Sequence, residues 1–170
     1  MELLITRDDI SIYRQISSTP YDNVLNQNIL DAQFLDIQSL MGSDFYNDLI
    51  RNYNDAKYTT LLDGGTYEYQ GITYTNVGLK VVLVHYAYAR YVLFGSQTDT
   101  PFGYVEKLNE QSERVSLESK KTMSKMNQQV AFNYWENVRL FLDRNSTDYP
   151  LWNDGNCRIK RGGFKISKIG

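Results

Sequence analysis

The stretch that decides the fold is Val77–Phe94, VGLKVVLVHYAYARYVLF, which is apolar on nearly every side of a predicted helix. A helix of this kind is surrounded by other elements, so we place it at the centre of the fold. Its most apolar run, Val81–Phe94, is shorter than a bilayer span and contains His85 and Arg90, which favours a core helix over a membrane helix. We expect it to end at Gly95.

The residues before this helix predict an amphipathic helical framework. Thr6–Asp9 resembles a capping box that opens a short helix ending near Ile16. A second helix is expected from about Asp22 to Met41, and its apolar residues recur at near-helical spacing. These residues are Leu25, Ile29, Ala32, Leu35 and Leu40. Gly42 then separates this helix from a third one, and such a tight turn favours antiparallel neighbours.

The stretch Tyr67–Tyr74, YEYQGITY, interrupts the helical pattern with two short alternating runs that meet at Gln70-Gly71. Gly in the second place of a two-residue loop predicts a β-hairpin over about residues 66–75. Pairing across that turn places four side chains on one face: Tyr67, Tyr69, Ile72 and Tyr74. Because a lone hairpin is marginal in water, this face needs another surface to pack against.

One long helix is predicted after the loop Ser96–Gly103. The helical pattern runs without proline from about Val105 to Asn145. Its first half is polar, so we expect it to project beyond the core or to bend near Ser112. An apolar stripe follows, made by Val115, Met123, Met126, Val130, Tyr134, Val138 and Phe141.

The last residues differ in charge from the rest of the chain. Residues 145–170 carry five basic and two acidic residues, a net charge of +3, and by difference from −2 residues 1–144 carry −5. The terminal sequence CRIKRGGFKISKIG alternates apolar and basic residues around a Gly-Gly pair. Together with the aromatic residues Trp152 and Phe164, this alternation favours a tail that docks on a neighbouring subunit. A solvated tail and a weak nucleic-acid contact are the alternatives.

These patterns predict a mainly α protein. It is a helical bundle with an inserted β-hairpin, a long C-terminal helix and an extended C-terminal tail. We expect residues 1–145 to form the helical domain and residues 146–170 to form the extended basic tail. The hydrophobic fraction of 42% and the charged fraction of 22% are those of a globular protein.

The sequence contains no catalytic motif of the P-loop, GxSxG, HExxH or paired CxxC kind. Its single histidine, His85, is expected to be a core residue because it lies within the apolar run. Its single cysteine, Cys157, excludes an internal disulfide. Asp44 and Asp48 share a helix face, but the helix dipole favours a carboxylate in the first turn without any metal. We therefore expect no enzymatic activity, no cofactor and no metal site.

The layout of residues 3–145 resembles the head-to-tail connector (adaptor) proteins of tailed bacteriophages, among them the ring proteins of crAss-like phages. Five segments carry the resemblance: LLITRDDI, FLDIQSLMGSDFYNDLI, YEYQGITYTNVGLKVVLVHYAYARYVLFG, TPFGYVEKLNEQSERVS and NYWENVRLFLDRN. The tail from about Ser146 departs from the family pattern, so the resemblance assigns it no role.

The resemblance implies a non-enzymatic virion protein of the neck, assembled in the host cytoplasm. Copies would form a homo-oligomeric ring, expected as a dodecamer, beneath the portal protein and against other neck and tail proteins. Genomic DNA would pass through the ring without specific binding, and no membrane would be involved. In such a ring we expect the aromatic face of the hairpin to pack partly on its own helices and partly on a neighbouring subunit or the portal. Our candidate interface residues are Tyr67, Tyr69, Ile72, Tyr74, Phe102, Tyr104, Trp152, Arg158, Lys160, Arg161, Phe164, Lys165 and Lys168.

Two other functions compete with the connector interpretation. The first is a different virion part, such as a head-completion or tail-terminator protein. The second is a small helical DNA-binding module that uses the basic residues of the tail, for which five positive charges are a weak signal.

Overall fold

The computed structural model describes residues 2–16, 22–95, 97–100, 103–106 and 115–155, with the backbone alone at 97–100, 103–106 and 153–155. In chain order the elements are α1 (Arg7–Tyr13), α2 (Asn23–Asp31), a π-helical segment (Ala32–Ile37), α3 (Gln38–Met41), α4 (Ser43–Asn52), α5 (Ala56–Asp63), β1 (Gly65–Tyr69), β2 (Ile72–Asn76), α6 (Leu79–Phe94), β3 (Gln97–Thr100), β4 (Gly103–Glu106), α7 (Leu117–Arg144) and α8 (Pro150–Gly155). The predicted mainly α class, with an inserted hairpin and a long helix near the C-terminus, is confirmed.

Helix α6 lies at the centre of the fold, as its all-round apolar sequence predicts. The long helix α7 packs along it, and α1, α2, the π-helical segment and α5 also contact it. Eight of its residues are buried: Leu79, Val81, Val82, Leu83, Val84, His85, Ala87 and Ala89. Because partners surround α6 on several sides, it needs no polar face over most of its length.

The predicted second helix is continuous from Asn23 to Met41 but contains the π-helical segment. Hydrogen bonds of the i to i+5 type there accommodate an extra residue and change which side chains face the core. Gln33 and Ile37 are fully buried, whereas Phe34 is 44% exposed and Leu35 is 60% exposed. Leu35, although it shares the near-helical spacing of Leu25, Ile29 and Ala32, therefore faces away from the core.

Buried Gln33 fixes the N-terminal segment against this helix. Its side-chain oxygen accepts a hydrogen bond from the Leu4 backbone N–H at 2.9 Å, and its amide nitrogen donates to the Glu2 carbonyl at 3.1 Å. Leu4 and Ile5 are thereby held in the core. A buried amide with both groups bonded to backbone avoids the cost of burying an unpaired polar group.

The predicted hairpin is confirmed with its register. Strands β1 and β2 are antiparallel, and Tyr67 pairs with Tyr74 while Tyr69 pairs with Ile72. The Asn137 side chain of α7 accepts from the Val77 N–H at 2.9 Å and donates to the Thr75 carbonyl at 3.0 Å. One amide group therefore joins the end of the hairpin to the long helix.

Two glycines allow the chain to cross itself where α5 ends and α6 begins. Gly64 and Gly78 have φ angles of +82° and +87°. A Cβ on Gly64 would lie 2.6 Å from the Asn76 carbonyl oxygen, and one on Gly78 would lie 2.6 Å from the Leu62 carbonyl oxygen. Both positions therefore require glycine for conformation and for space.

The long helix begins later than predicted. Strand β4 occupies the position near Val105 where we expected the helix to start, and it forms a second antiparallel hairpin with β3. Helix α7 begins at Leu117, after Ser116, whose side chain accepts from the Ser119 N–H at 3.1 Å. The expected bend near Ser112 lies outside the described residues. No periodic signal distinguished this short hairpin from a polar helix.

The helical unit continues past the predicted boundary at residue 145. Tyr149 and Trp152 are buried, and Trp152 lies between the rings of Phe45 and Trp135 at centroid distances of 6.0 and 5.8 Å. The Tyr149 hydroxyl donates to the Lys57 carbonyl at 2.6 Å. The segment through α8 therefore belongs to the same core, and only residues 156–170 of the predicted tail lie outside the described part.

Candidate functional site

The aromatic face of the first hairpin packs against the C-terminal end of α7. The Tyr67 ring lies edge-on to Phe141 with centroids 5.0 Å apart and stacks on Tyr74 at 5.7 Å. Arg144 donates from Nη1 to the Tyr67 hydroxyl at 2.9 Å. Its guanidinium carbon also lies 3.9 Å from the Tyr74 ring centroid and 5.2 Å from that of Tyr69. Three tyrosines thus surround one guanidinium, an arrangement that cation–π attraction stabilises.

This packing accounts for most of the face within a single chain. Tyr67, Tyr69 and Tyr74 are half-buried, and Ile72 at the end of the hairpin is 56% exposed. Of the four predicted contact residues, Ile72 therefore offers the largest accessible apolar surface. The packing of this face on the protein's own helices is confirmed, and its contact with a neighbour stays a prediction.

The other predicted interface residues fall into three groups. Trp152 is 1% exposed, and its Nε1 donates to Asp143 Oδ1 at 2.9 Å, so its assignment to a surface contact is wrong. Tyr104 lies on β4, where the structure describes only the backbone. The remaining ones lie outside the described residues: Phe102, Arg158, Lys160, Arg161, Phe164, Lys165 and Lys168.

An apolar groove, which we call the methionine groove, lies between α6 and the N-terminal half of α7. It consists of two adjoining depressions of about 240 and 290 Å³ that share Met123. Its lining residues include Arg14, Tyr88, Tyr91, Val92, Lys120, Met123, Met126 and Val130. Met123 is 41% exposed and Met126 is 64% exposed. Methionine is flexible and polarisable, and surfaces that bind proteins use it often.

The methionine groove lies where the N-terminal half of α7 runs beside the last turns of α6, from Tyr88 to Gly95. Val138 and Phe141, on the predicted apolar stripe, are buried against the core, while Met123 and Met126 extend towards the end of α6. The predicted stripe is therefore buried at its C-terminal end and exposed at Met123 and Met126, where it lines the groove.

A second exposed apolar feature, which we call the π knob, consists of Phe34 and Leu35. The Phe34 ring packs on Tyr46 of α4 with centroids 6.0 Å apart, which fixes its position at the surface. Asp36 beside it forms a bidentate ion pair with Arg90 of α6, at 2.9 and 3.1 Å. Sequence reasoning missed this feature, although two adjacent large apolar residues in one helix rarely both face a core.

Titratable side chains in the core are engaged in structural roles. His85 is buried and stacks on Tyr134 with centroids 5.3 Å apart, as expected for a core residue. Burial, with a contribution from the charge of Arg14, lowers the pKa of His85 to about 4. The imidazole is therefore neutral near pH 7 and is buried among aromatic rings rather than placed beside a nucleophile.

The carboxylate of Asp48, which shares a helix face with Asp44, is engaged by side chains of its own chain. It accepts hydrogen bonds from the Tyr58 hydroxyl and from Asn52 Nδ2, and Lys57 lies 3.6 Å away. The hydrogen bond from Tyr58 is the main cause of the lowered pKa of Asp48. Within the described part of the chain, no group of three or more His, Cys, Asp or Glu residues is arranged to hold a metal ion.

Among the residues that the structure describes, no helix combines the length and the apolar character needed to cross a membrane. No curated protein and no solved structure matches the chain. A family model described as "Family of unknown function (DUF6712)" matches residues 37–162, which is more than half of the chain. This range begins just after the π knob and includes the first hairpin, α6 and α7. The protein therefore belongs to the DUF6712 family.

Proposed function

We propose that this protein is a structural subunit of a phage particle, a head-to-tail connector that forms a ring between the portal and the tail. The observation that carries the proposal is the exposure of two apolar surfaces, the methionine groove and the π knob. Large apolar side chains that form exposed patches on a folded domain are typical of protein–protein contacts. The resemblance of residues 3–145 to connector proteins supports the same role.

The proposed role is mechanical rather than chemical. The ring extends the DNA channel of the portal and offers a docking surface to the tail, with no reaction to catalyse. A net charge of −5 over residues 1–144 suits a channel through which DNA slides, because strong phosphate contacts would hold it. The basic residues of the tail, Arg158 to Lys168, supply contacts to the portal or to an adjacent copy in this proposal.

Co-purification with the portal protein of the same genome tests this function. A tagged portal should retain the full chain after washing. It should lose the chain when exposed apolar residues of the methionine groove or the π knob are replaced by charged ones. A chain cut after Gly155 measures the contribution of the tail while keeping every described core residue. No retention of the full-length chain by the portal, or by neck proteins from that genome, would contradict the proposal.

A further inference from the structure

We infer that neighbouring copies contact each other head to tail, with the π knob of one copy packed in the methionine groove of the next. This inference rests on the proposed ring function and names the surfaces that would build the ring. Its partner is a second copy of this chain.

The two surfaces match in character and size. The π knob presents two large apolar side chains, Phe34 and Leu35, on a helical segment whose geometry is unusual. π-helical segments occur frequently at functional sites, because the extra residue places side chains where an α-helix would not. The methionine groove offers depressions of about 240 and 290 Å³, each large enough for a side chain of this size.

The knob and the groove lie on opposite sides of the central helix. Arg90 of α6 faces the π-helical segment, where it pairs with Asp36. Tyr88 and Val92 line the groove, and at about 100° per residue they project ~160° away from Arg90 around α6. A contact between opposite sides of identical subunits is heterologous, and it closes into a ring when the rotation between copies allows it.

Charge also favours this pairing. Residues 22–50 contain no Lys or Arg but carry five aspartates: Asp22, Asp31, Asp36, Asp44 and Asp48. Residues 117–132, which form the outer side of the groove, carry Lys120, Lys121 and Lys125 against Glu118, a net charge of +2. Asp31, four residues before Leu35, and Asp44 are exposed and form no ion pair with any described residue, so their charge is available to a partner. Opposite charges around an apolar contact fix its register and speed association.

Charge also disfavours the chain's own tail as the occupant of the groove. Residues 156–170 carry five basic residues and no acidic one. The groove has Arg14 along its lining, and residues 117–132 carry a net charge of +2, so the tail would bring positive charge towards positive charge. An acidic partner with exposed apolar side chains fits better, and residues 22–50 of a second copy have both properties.

Two single variants test the contact. Leu35→Asp disrupts the knob and Met126→Asp disrupts the groove, and both positions are exposed, so circular dichroism should show an unchanged fold. Leu140→Asp, at another exposed position of α7, is the matched control. Sedimentation velocity should be measured on the order of 1 µM to 1 mM, where weak contacts become populated.

Wild type and Leu140→Asp should self-associate, and each single variant should do so with a Kd at least about tenfold weaker. An equimolar mixture of Leu35→Asp and Met126→Asp should give heterodimers and nothing larger, because only one intact knob and one intact groove remain to pair. This result is specific to a head-to-tail contact, since a symmetric contact would be impaired in both chains.

Three results would overturn the inference: a wild type that stays monomeric over the whole range, single variants that associate like wild type, or a mixture without heterodimers. The connector function has a separate readout. If the portal retains both variants as well as it retains the wild type, with the same layer of density, the connector function stands and the knob–groove contact is wrong. If the contact forms but the portal retains no chain, the contact stands and the connector function is wrong.

Discussion

The ring of Tyr67 on the first hairpin lies edge-on against Phe141 of α7, with 5.0 Å between the ring centroids. Phe141 is buried, so this contact joins the hairpin to the core of its own chain. The hairpin thus has a fixed support, and the exposed Ile72 at its end is held at a defined place. A rigidly held exposed side chain loses little entropy when a partner binds it.

We expect Tyr67→Ser to lower the free energy of unfolding by about 1–2 kcal/mol, because it removes a half-buried ring and its contact with Phe141. Ile72→Ser, on the same face but largely exposed, should change the free energy of unfolding by less than about 0.5 kcal/mol. Urea denaturation of both variants measures the difference. Equal losses in the two would mean that the Tyr67 contact adds no stability.

Gly78→Ala should be strongly destabilising, by about 2–4 kcal/mol, since the new Cβ would meet the Leu62 carbonyl in a strained backbone conformation. Gly71→Ala is the control, because its φ of +77° carries the conformational cost but no atom lies within 4 Å. We expect Gly71→Ala to cost only about 1–2 kcal/mol. Thermal unfolding distinguishes them, and similar melting temperatures would contradict the close crossing of the chain.

Trp152→Ala should cost about 3–5 kcal/mol in the free energy of unfolding, because it leaves a cavity beside Phe45 and Trp135 and an unpaired Asp143 carboxylate oxygen. A chain ending at Gly155 should unfold at the temperature of the full chain, whereas one ending at Asn145 should unfold much earlier. Should the shorter chain prove as stable as the longer one, α8 would not belong to the core.

Stability should fall as the pH is lowered from about 6.5 towards 4. His85 has a pKa lowered to about 4 in the folded state and an ordinary value of 6.5 when unfolded. The unfolded chain therefore binds more protons in this window, so acidification favours unfolding. Between pH 7 and pH 5 the free energy of unfolding should drop by about 2 kcal/mol.

His85→Leu is the control for this effect. His85 is the single histidine of the chain, so the variant should lose most of the pH dependence between pH 7 and pH 5. The lowered pKa of Asp48 acts in a lower range, because its stabilisation is lost only as the pH falls below its ordinary value of 3.8. A slope that persists in His85→Leu would place the responsible group elsewhere.

The sequence allowed the central helix and the first hairpin to be predicted because local signals there agree with the tertiary contacts. The apolar residues of α6 point in all directions, and the Gln70-Gly71 turn fixes the hairpin register. The packing of Tyr67 on Phe141 joins residues far apart in the chain, and no local pattern encodes it.

Three features escaped prediction for physical reasons. Within the π-helical segment, Gln33 is buried and bonds to the N-terminal backbone while Leu35 faces outward, and helical periodicity does not indicate this arrangement. The Trp152 side chain is buried in an aromatic pocket formed by α4 and α7. Its position near the C-terminus favoured an exposed tail and gave no sign of this burial. The methionine groove combines side chains of α6 and α7 that are far apart in the chain, so no local pattern indicates it.

Electron microscopy of the chain co-expressed with the portal protein of its own genome tests the connector proposal most directly. Our account predicts an added layer of density beneath the portal, present with Leu140→Asp and weakened by Leu35→Asp and Met126→Asp. A bare portal beside free protein of 19.8 kDa, under conditions in which the portal is intact, would contradict it.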